Sequence, residues 1–180
     1  MTSFAPLACA LARDRVRYVL IGVWGANLHA HRAGVVFTTQ DHDLFLPADA
    51  DNLVAAWRAC EACGLQLTSA GEPLDVPRDL WLAQRVVDRR ALVQATDDDD
   101  LQVDLALVMK GFEFDEVWDQ RTTYALAGVE IPVARLKHIV ASKAAVGRDK
   151  DRLFLATHDE ALRQLLAPEG GGGRAGTPAS

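Results

Sequence analysis

The chain has 180 residues, 49% hydrophobic and 24% charged, which is enough for one well-cored domain and too few for two comfortable ones. Its formal net charge of −6 argues against holding nucleic acid by a broad basic face, so no extended nucleic-acid surface is expected, although a local basic pocket stays compatible. No apolar run reaches the roughly 20 residues that a membrane span needs, and the first residues lack the pattern of a secretion signal, so no membrane partner and a cytoplasmic location are expected.

In chain order, "FAPLACALARDR" has the periodicity of an amphipathic helix, and "VRYVLIG" reads as a buried strand ending at Gly22. A helix follows through Trp24 to His31. "AGVVFTTQ" is a loop or short extended piece leading into the strand "DHDLFLP", which Pro47 ends. Asp49 or Asp51 then caps a helix running to Gly64. That helix carries Cys60 and Cys63 as a C-x-x-C, yet no second pair stands at metal-ligand spacing, and both thiols read as small residues on the helix. With three cysteines and no secretion signal, a disulfide framework is not expected.

"LWLAQRVVD" and "RALVQAT" are expected to be strands, the acidic run Asp97 to Asp100 a solvated turn, and "LQVDLALVM" a strand with an acid in its middle. "EFDEVWDQR" suggests a short helix and "TTYALAGVEIPV" a hairpin around Ala127 and Gly128. "ARLKHIVASKAAVG" is an amphipathic helix capped by Gly147, and "DKDRLFLATHDEALRQLL" is one further helix. Residues 1–166 form the expected domain. Residues 167–180, rich in glycine, have too little apolar content to order themselves and are expected to be a disordered tail.

Chemistry concentrates on three acids. Side chains alternate along a strand, so Asp41 and Asp43 project together, with Cα atoms roughly 6.5 Å apart, while His42 and Leu44 face the other way. Two carboxylates on one buried face repel each other and lose solvation unless a cation compensates, and oxygen-only ligands fit Mg²⁺. The alternative is a solvated pair at an exposed strand start. Asp104, flanked by Val103 and Leu105, is an acid in an apolar strand and needs a partner. If its strand neighbours the Asp41–Asp43 strand, it joins the same site. Gly22 ends a buried strand where a helix begins, which leaves backbone N–H groups free for an anion; its other reading is a tight turn.

Taken together, "LIGVWGANLH", "TTQDHDLFLP", "VDLALV" and "IPVARLKHIVASKAAVGRDKDRLFL" resemble the nucleotidyltransferase superfamily, of which DNA polymerase β is a familiar relative. The last segment looks like the K-x4-R-x-K-D helix pair of small prokaryotic nucleotidyltransferase-like proteins, including abortive-infection-type toxins. The first part is similar to lincosamide and aminoglycoside nucleotidyltransferases, and the likeness runs over roughly residues 16–166. It implies an α+β nucleotidyltransferase fold, a mixed β-sheet flanked by helices with a C-terminal helical pair.

It also implies transfer of a nucleoside monophosphate from a nucleoside triphosphate to an acceptor, with Mg²⁺ or Mn²⁺. Asp41 and Asp43 would hold the metals, and Asp104 would bind one of them and help deprotonate an acceptor hydroxyl. Gly22, Val23 and the helix after them would meet the triphosphate, Thr39 would support the motif loop, and Lys143, Arg148 and Lys150 would converge on phosphates. Solvated charges near a helix end are the other reading of those three, and Asp151 could pair with Arg148 or cap the last helix. Val23 stands where the family usually has Gly or Ser. Phe37 stands about where an arginine is common, with Arg32 as the nearby substitute. A non-catalytic nucleotide-binding member, or the partner of a cognate protein in a toxin–antitoxin pair, is the alternative function. The acceptor is not legible.

Overall fold

The computed structural model describes residues 4–30, 36–37, 39, 41–98 and 101–167. Arg32, the second half of the acidic run, most of the loop before Asp41 and the tail from residue 168 lie outside the described residues.

The first elements follow the sequence reading: α1 (Ala5–Arg13), β1 (Val19–Ile21), α2 (Gly22–Ala30), β2 (Asp41–Phe45) and α3 (Ala50–Ala62). Asp49 is the cap of α3, its carboxylate accepting from the Asn52 amide at 2.8 Å. Next comes a small hairpin that the sequence reading did not contain, β3 (Gln66–Ser69) and β4 (Glu72–Pro73), turning at Ala70 and Gly71, both at positive φ.

"LWLAQRVVD" is not a strand but the helix α4 (Leu80–Arg89). The Asp79 carboxylate accepts from the Leu82 amide at 3.0 Å, and Arg90 closes the far end in the left-handed region at φ 50°. Leu82, Ala83, Val86 and Val87 are buried at helical spacing, whereas Trp81, Gln84 and Arg85 face water. That burial stripe, with a cap at each end, decides between two periods that the apolar residues alone leave ambiguous.

β5 (Val93–Thr96), β6 (Gln102–Ala106), α5 (Phe114–Asp119), β7 (Thr122–Leu126), β8 (Val129–Val133) and α6 (Leu136–Val146) complete the expected series. Ala127 and Gly128 turn the β7–β8 hairpin with φ of 49° and 83°, and Gly147 ends α6 at φ 65°. The single last helix of the sequence reading is two, α7 (Asp149–Thr157) and α8 (Asp159–Leu166). The break at His158 turns the chain so that Leu162 of α8 and Phe154 of α7 reach one apolar cluster.

The architecture is α+β, with a mixed eight-stranded sheet in the order β4-β3-β5-β6-β2-β1-β8-β7. β6 runs parallel to β2, while β1 and β5 run antiparallel to their neighbours β2 and β6. One face, with Leu20, Leu44, Val103 and Leu105, packs on α1, α3 and α4 around the fully buried Trp57. On the other face Val19 and Phe45 pack with α2, α5, α6 and α8.

A half-buried relay pins α2 to the sheet. His29 Nε2 donates to the Ala134 carbonyl at 2.7 Å, which leaves Nδ1 to accept from the Tyr124 hydroxyl at 2.9 Å. Burial holds the imidazole below its ordinary pKa, in keeping with this neutral form. Among the described residues no helix is long and apolar enough to cross a membrane.

Asp79→Ala removes the oxygen that starts α4 and should cost about 1 kcal/mol, read as a lower urea midpoint at unchanged slope. An unchanged midpoint would mean that the α3–α4 packing alone holds this helix.

Candidate functional site

The strand alternation holds. Asp41 and Asp43 share a face of β2 and are half-buried, while His42 turns to the opposite face and stacks on Phe4 with ring centroids 4.9 Å apart. Asp104 of β6 stands directly across the parallel ladder from Asp43, and Asp41 stands across from Gln102. Neighbouring strands lie about 4.8 Å apart, so the sheet brings Asp43 and Asp104 side by side. The adjacency that the third acid required is therefore present in the backbone pairing.

These three aspartates line a cavity of about 630 Å³. Gly22, Val23 and Thr39 line it as well, and so do Lys143, Arg148 and Lys150. All nine candidate residues meet around one space.

Gly22 sits at the junction of β1 and α2 with φ +67°. A Cβ there would stand 1.8 Å from Asp43 Oδ2 and 2.7 Å from Asp43 Cγ. No such contact can exist, so the carboxylate occupies the space a side chain would need, and the left-handed backbone favours glycine independently. Thr39 braces the entry to β2: its hydroxyl accepts from the Asp41 amide at 3.3 Å. Upstream, the Asn27 side chain exchanges two hydrogen bonds with the Phe37 backbone, at 2.7 and 2.6 Å. Phe37 itself is a core residue, packed edge-on against Phe154 and His158. The place of the expected arginine is thus filled by a ring facing the interior.

The acids are unequal. Burial first, then the neighbouring Asp104 charge and to a lesser degree Asp41, push the Asp43 carboxyl up to about 6, against the opposing pull of Lys143 and Lys150. Asp104 is held by two amides that the sequence reading missed: Gln94 Nε2 at 3.1 Å and Gln102 Nε2 at 3.3 Å, both donating to Oδ1. Gln102 lies two residues before Asp104, so strand alternation sets it on the same face. Gln94 becomes visible only through the β5–β6 register, which sets it opposite Asp104.

On the far wall, Lys143 Nζ reaches Asp151 Oδ1 at 3.0 Å and Arg148 Nε reaches Oδ2 at 2.8 Å. The Asp151 side chain is 1% exposed. Its burial would raise the pKa, but the bonds from Arg148 and Lys143 outweigh this and hold the carboxyl below its usual range. Asp151 thus pairs with Arg148, as one of the two sequence readings has it, and with Lys143 too. Lys143 also lies 5.2 Å over the Phe154 ring. Lys150 takes part in no ion pair among the described residues.

Among the described residues no three His, Cys, Asp or Glu side chains are gathered into a ready metal cage. The donor chemistry nonetheless suits a hard divalent cation: carboxylate oxygens on one face, with Asp43 carrying negative charge that its surroundings leave undercompensated. Arg90 and Lys110 also line the cavity and were not anticipated. The C-x-x-C is structural, as expected; Cys60 is buried, which pushes its thiol up to about 12, and the three cysteines are free.

No family model and no curated protein matches the chain. Among solved structures it is similar to the antibiotic-resistance factor ANT(2″)-Ia, studied in solution, with 14% identity over 90% of this chain and 86% of that one, at a TM-score of 0.49. A likeness at that level carries no functional argument, and what the chain does has to be read from its own residues.

Proposed function

We propose that this chain is a metal-dependent nucleotidyltransferase with the nucleotidyltransferase fold over residues 1–166, which moves a nucleoside monophosphate from a nucleoside triphosphate to a hydroxyl acceptor and releases pyrophosphate. The observation that carries the reading is the contact of the Asp43 carboxylate with Gly22 at the first turn of a helix, beside Asp104 and across a cavity from three cations. The order of the motifs along the chain supports it as well.

Each residue has a role that its position suggests. Gly22 lets the backbone approach closely, and the α2 N-terminus beside it offers N–H groups and a positive dipole end to phosphate oxygens. Lys143 of α6, Arg148 at the cap of α7 and Lys150 in its first turn line the same cavity, where they would neutralise the triphosphate. Asp151 keeps the first two in place without spending their whole hydrogen-bonding capacity, because an ammonium has three donors and a guanidinium five. Asp104, oriented by Gln94 and Gln102, would accept the proton of the acceptor hydroxyl. Asp41, Asp43 and Asp104 would hold Mg²⁺ or Mn²⁺. Bound there, the metal supplies neutralisation of charge at the α-phosphate and on the leaving pyrophosphate.

A second reading, a non-catalytic nucleotide-binding or toxin–antitoxin partner protein, draws on one specific feature. Val23 lines the cavity beside Gly22 with a branched apolar side chain, and two of the three facing cations are already paired with Asp151.

Calorimetry with the four ribonucleoside triphosphates, ATP included, separates the two. Binding that requires Mg²⁺ and is lost in Asp41→Asn/Asp43→Asn, with pyrophosphate release lost alongside, is the outcome expected. Absence of binding under all conditions would refute the enzyme.

Stability supplies a control against simple unfolding. Because the folded-state pKa of Asp43 is raised to about 6, the folded protein holds this proton more tightly than the unfolded chain does. The associated stability is fully present below about pH 4 and is lost as pH rises through the folded value. Without metal, Asp43→Asn should therefore melt above wild type at pH 8, with the gap closing toward pH 4, while being inactive. Mg²⁺ should raise the wild-type Tm at pH 8 and leave the variant's unchanged. A variant less stable than wild type at pH 8 would contradict this charge balance.

The two amides on Asp104 make a separate prediction. Gln94→Leu/Gln102→Leu frees its carboxylate to rotate and should lower kcat by about 10- to 100-fold with triphosphate affinity retained. Unaltered kcat would remove Asp104 from the proton-transfer step.

A further inference from the structure

The cavity carries cations at two ends, and a single triphosphate accounts for one of them. β1 is antiparallel to β2 with Ile21 opposite Asp43, so Gly22 emerges at the Asp41 end of β2. The other end, past Phe45 and Ala106, belongs to Arg90 and Lys110. Arg90 Nη1 donates to the carbonyl of Leu107, the first residue after β6, at 3.3 Å. Lys110 stands in a tight turn closed by the Phe112 amide on the Met109 carbonyl at 3.1 Å, with Gly111 at φ +88°. Gly22 follows Ile21 and so lies level with His42, about 10 Å of strand rise from Phe45, and phosphates held at Gly22 do not also sit between Arg90 and Lys110.

Both side chains are exposed, and neither joins an ion pair among the described residues. They also border a second hollow, of about 540 Å³, that opens beyond the end of β2. Of the acids around that hollow, Asp115 is paired with Arg17, while Asp49 caps α3 through the Asn52 amide and keeps its charge, so Asp49 and Glu113 border the hollow together with the two cations, neither of which they bind. Val108, 54% exposed, and Phe112 give the hollow apolar wall.

We propose that Arg90 and Lys110 form an acceptor-side anion seat: the acceptor is a hydroxyl compound bearing a phosphate, which lies along the second hollow and presents its hydroxyl to Asp104. This rests on the nucleotidyl-transfer reading and adds the charge class and the approach direction of the second substrate. A guanidinium and an ammonium together match a phosphate, with its greater charge and three oxygens, better than a singly charged carboxylate. In the transfer the acceptor oxygen bonds to the α-phosphorus as the bond to the bridging oxygen breaks. Pyrophosphate leaves with that electron pair, and the hydroxyl proton passes to Asp104.

The test compares wild type, Lys110→Gln and Arg90→Gln/Lys110→Gln for binding of three probes: a nucleoside 5′-monophosphate, the same nucleoside without phosphate, and a short labelled single-stranded RNA. Each is measured with and without a saturating non-hydrolysable triphosphate and Mg²⁺, which blocks the Gly22 end. The expected result is that a phosphate-bearing probe binds wild type better than the bare nucleoside and weakens about tenfold or more in the double variant, with an intermediate loss in Lys110→Gln. Triphosphate binding should change by less than about twofold, since no contact at the Gly22 end is altered. Saturable binding of the monophosphate assigns a small phosphorylated acceptor, and binding of the RNA alone assigns a polynucleotide end.

Equal affinity in wild type and double variant, no preference for phosphate, or a parallel fall in triphosphate binding would each overturn the seat. Failure of any triphosphate to bind wild type would instead remove the nucleotidyl-transfer reading, while the phosphate probes still judge Arg90 and Lys110. The single exposed-turn variant guards against a folding defect in the double one.

Discussion

The site depends on one close approach. Asp43 places its carboxylate in the volume that a side chain on Gly22 would occupy, and Gly22 adopts a backbone conformation that other residues rarely take. Two strands and the start of a helix are fixed relative to each other by that contact, because β1 delivers Gly22, β2 delivers Asp43 and α2 begins where they touch. Everything else in the cavity is placed outward from it: Asp104 by the parallel ladder, and the cations by the packing of α6 on α2 and of α7 on α6. A substitution of the glycine would have to move an acid that is already disfavoured by burial and by its neighbours.

Charge at the Gly22 end of the cavity is arranged as a sandwich, acids on the sheet and cations on α6 and the start of α7, with one buried acid inside the cationic layer. Asp151 reverses the local sign just where Lys143 and Arg148 would otherwise repel each other. Its effect is structural as much as electrostatic. Gly147 separates the two cations by ending α6, and the shared carboxylate ties the end of that helix to the first turn of α7. The orientation of the cationic wall is thereby set without a continuous helix.

Much of this was legible in the sequence because it follows from short-range rules. Alternation in "DHDLF" gave the shared face of Asp41 and Asp43, and the glycine after "VLI" gave the strand-to-helix turn. The pairing of Asp151 with Arg148, three residues earlier, was within reach of spacing. What was not legible needed either register or tertiary burial. Gln94 and Asp104 meet only because β5 pairs with β6 in one register, and Lys143 meets Asp151 only because α6 and α7 bend around Gly147. "LWLAQRVVD" carries apolar residues compatible with two periods, and burial of Leu82, Ala83, Val86 and Val87 selected the helix. The β3–β4 hairpin left little signal, since its strands are only four and two residues long and Leu67 is their one buried side chain.

The parallel pairing of β2 with β6 has a consequence for the order in which the cavity is assembled. Parallel neighbours cannot be joined by a tight turn, and here the connection contains α3, the β3–β4 hairpin, α4 and β5. Every contact between the two acidic strands therefore closes a long loop, the kind of contact that is entropically costly to make early in folding. A chain emerging from synthesis carries Asp41 and Asp43 well before Asp104, and Asp104 well before the cations that face them. The two walls of the cavity meet only near completion of the last helices, so partially made or truncated chains hold the acids without the cations that face them.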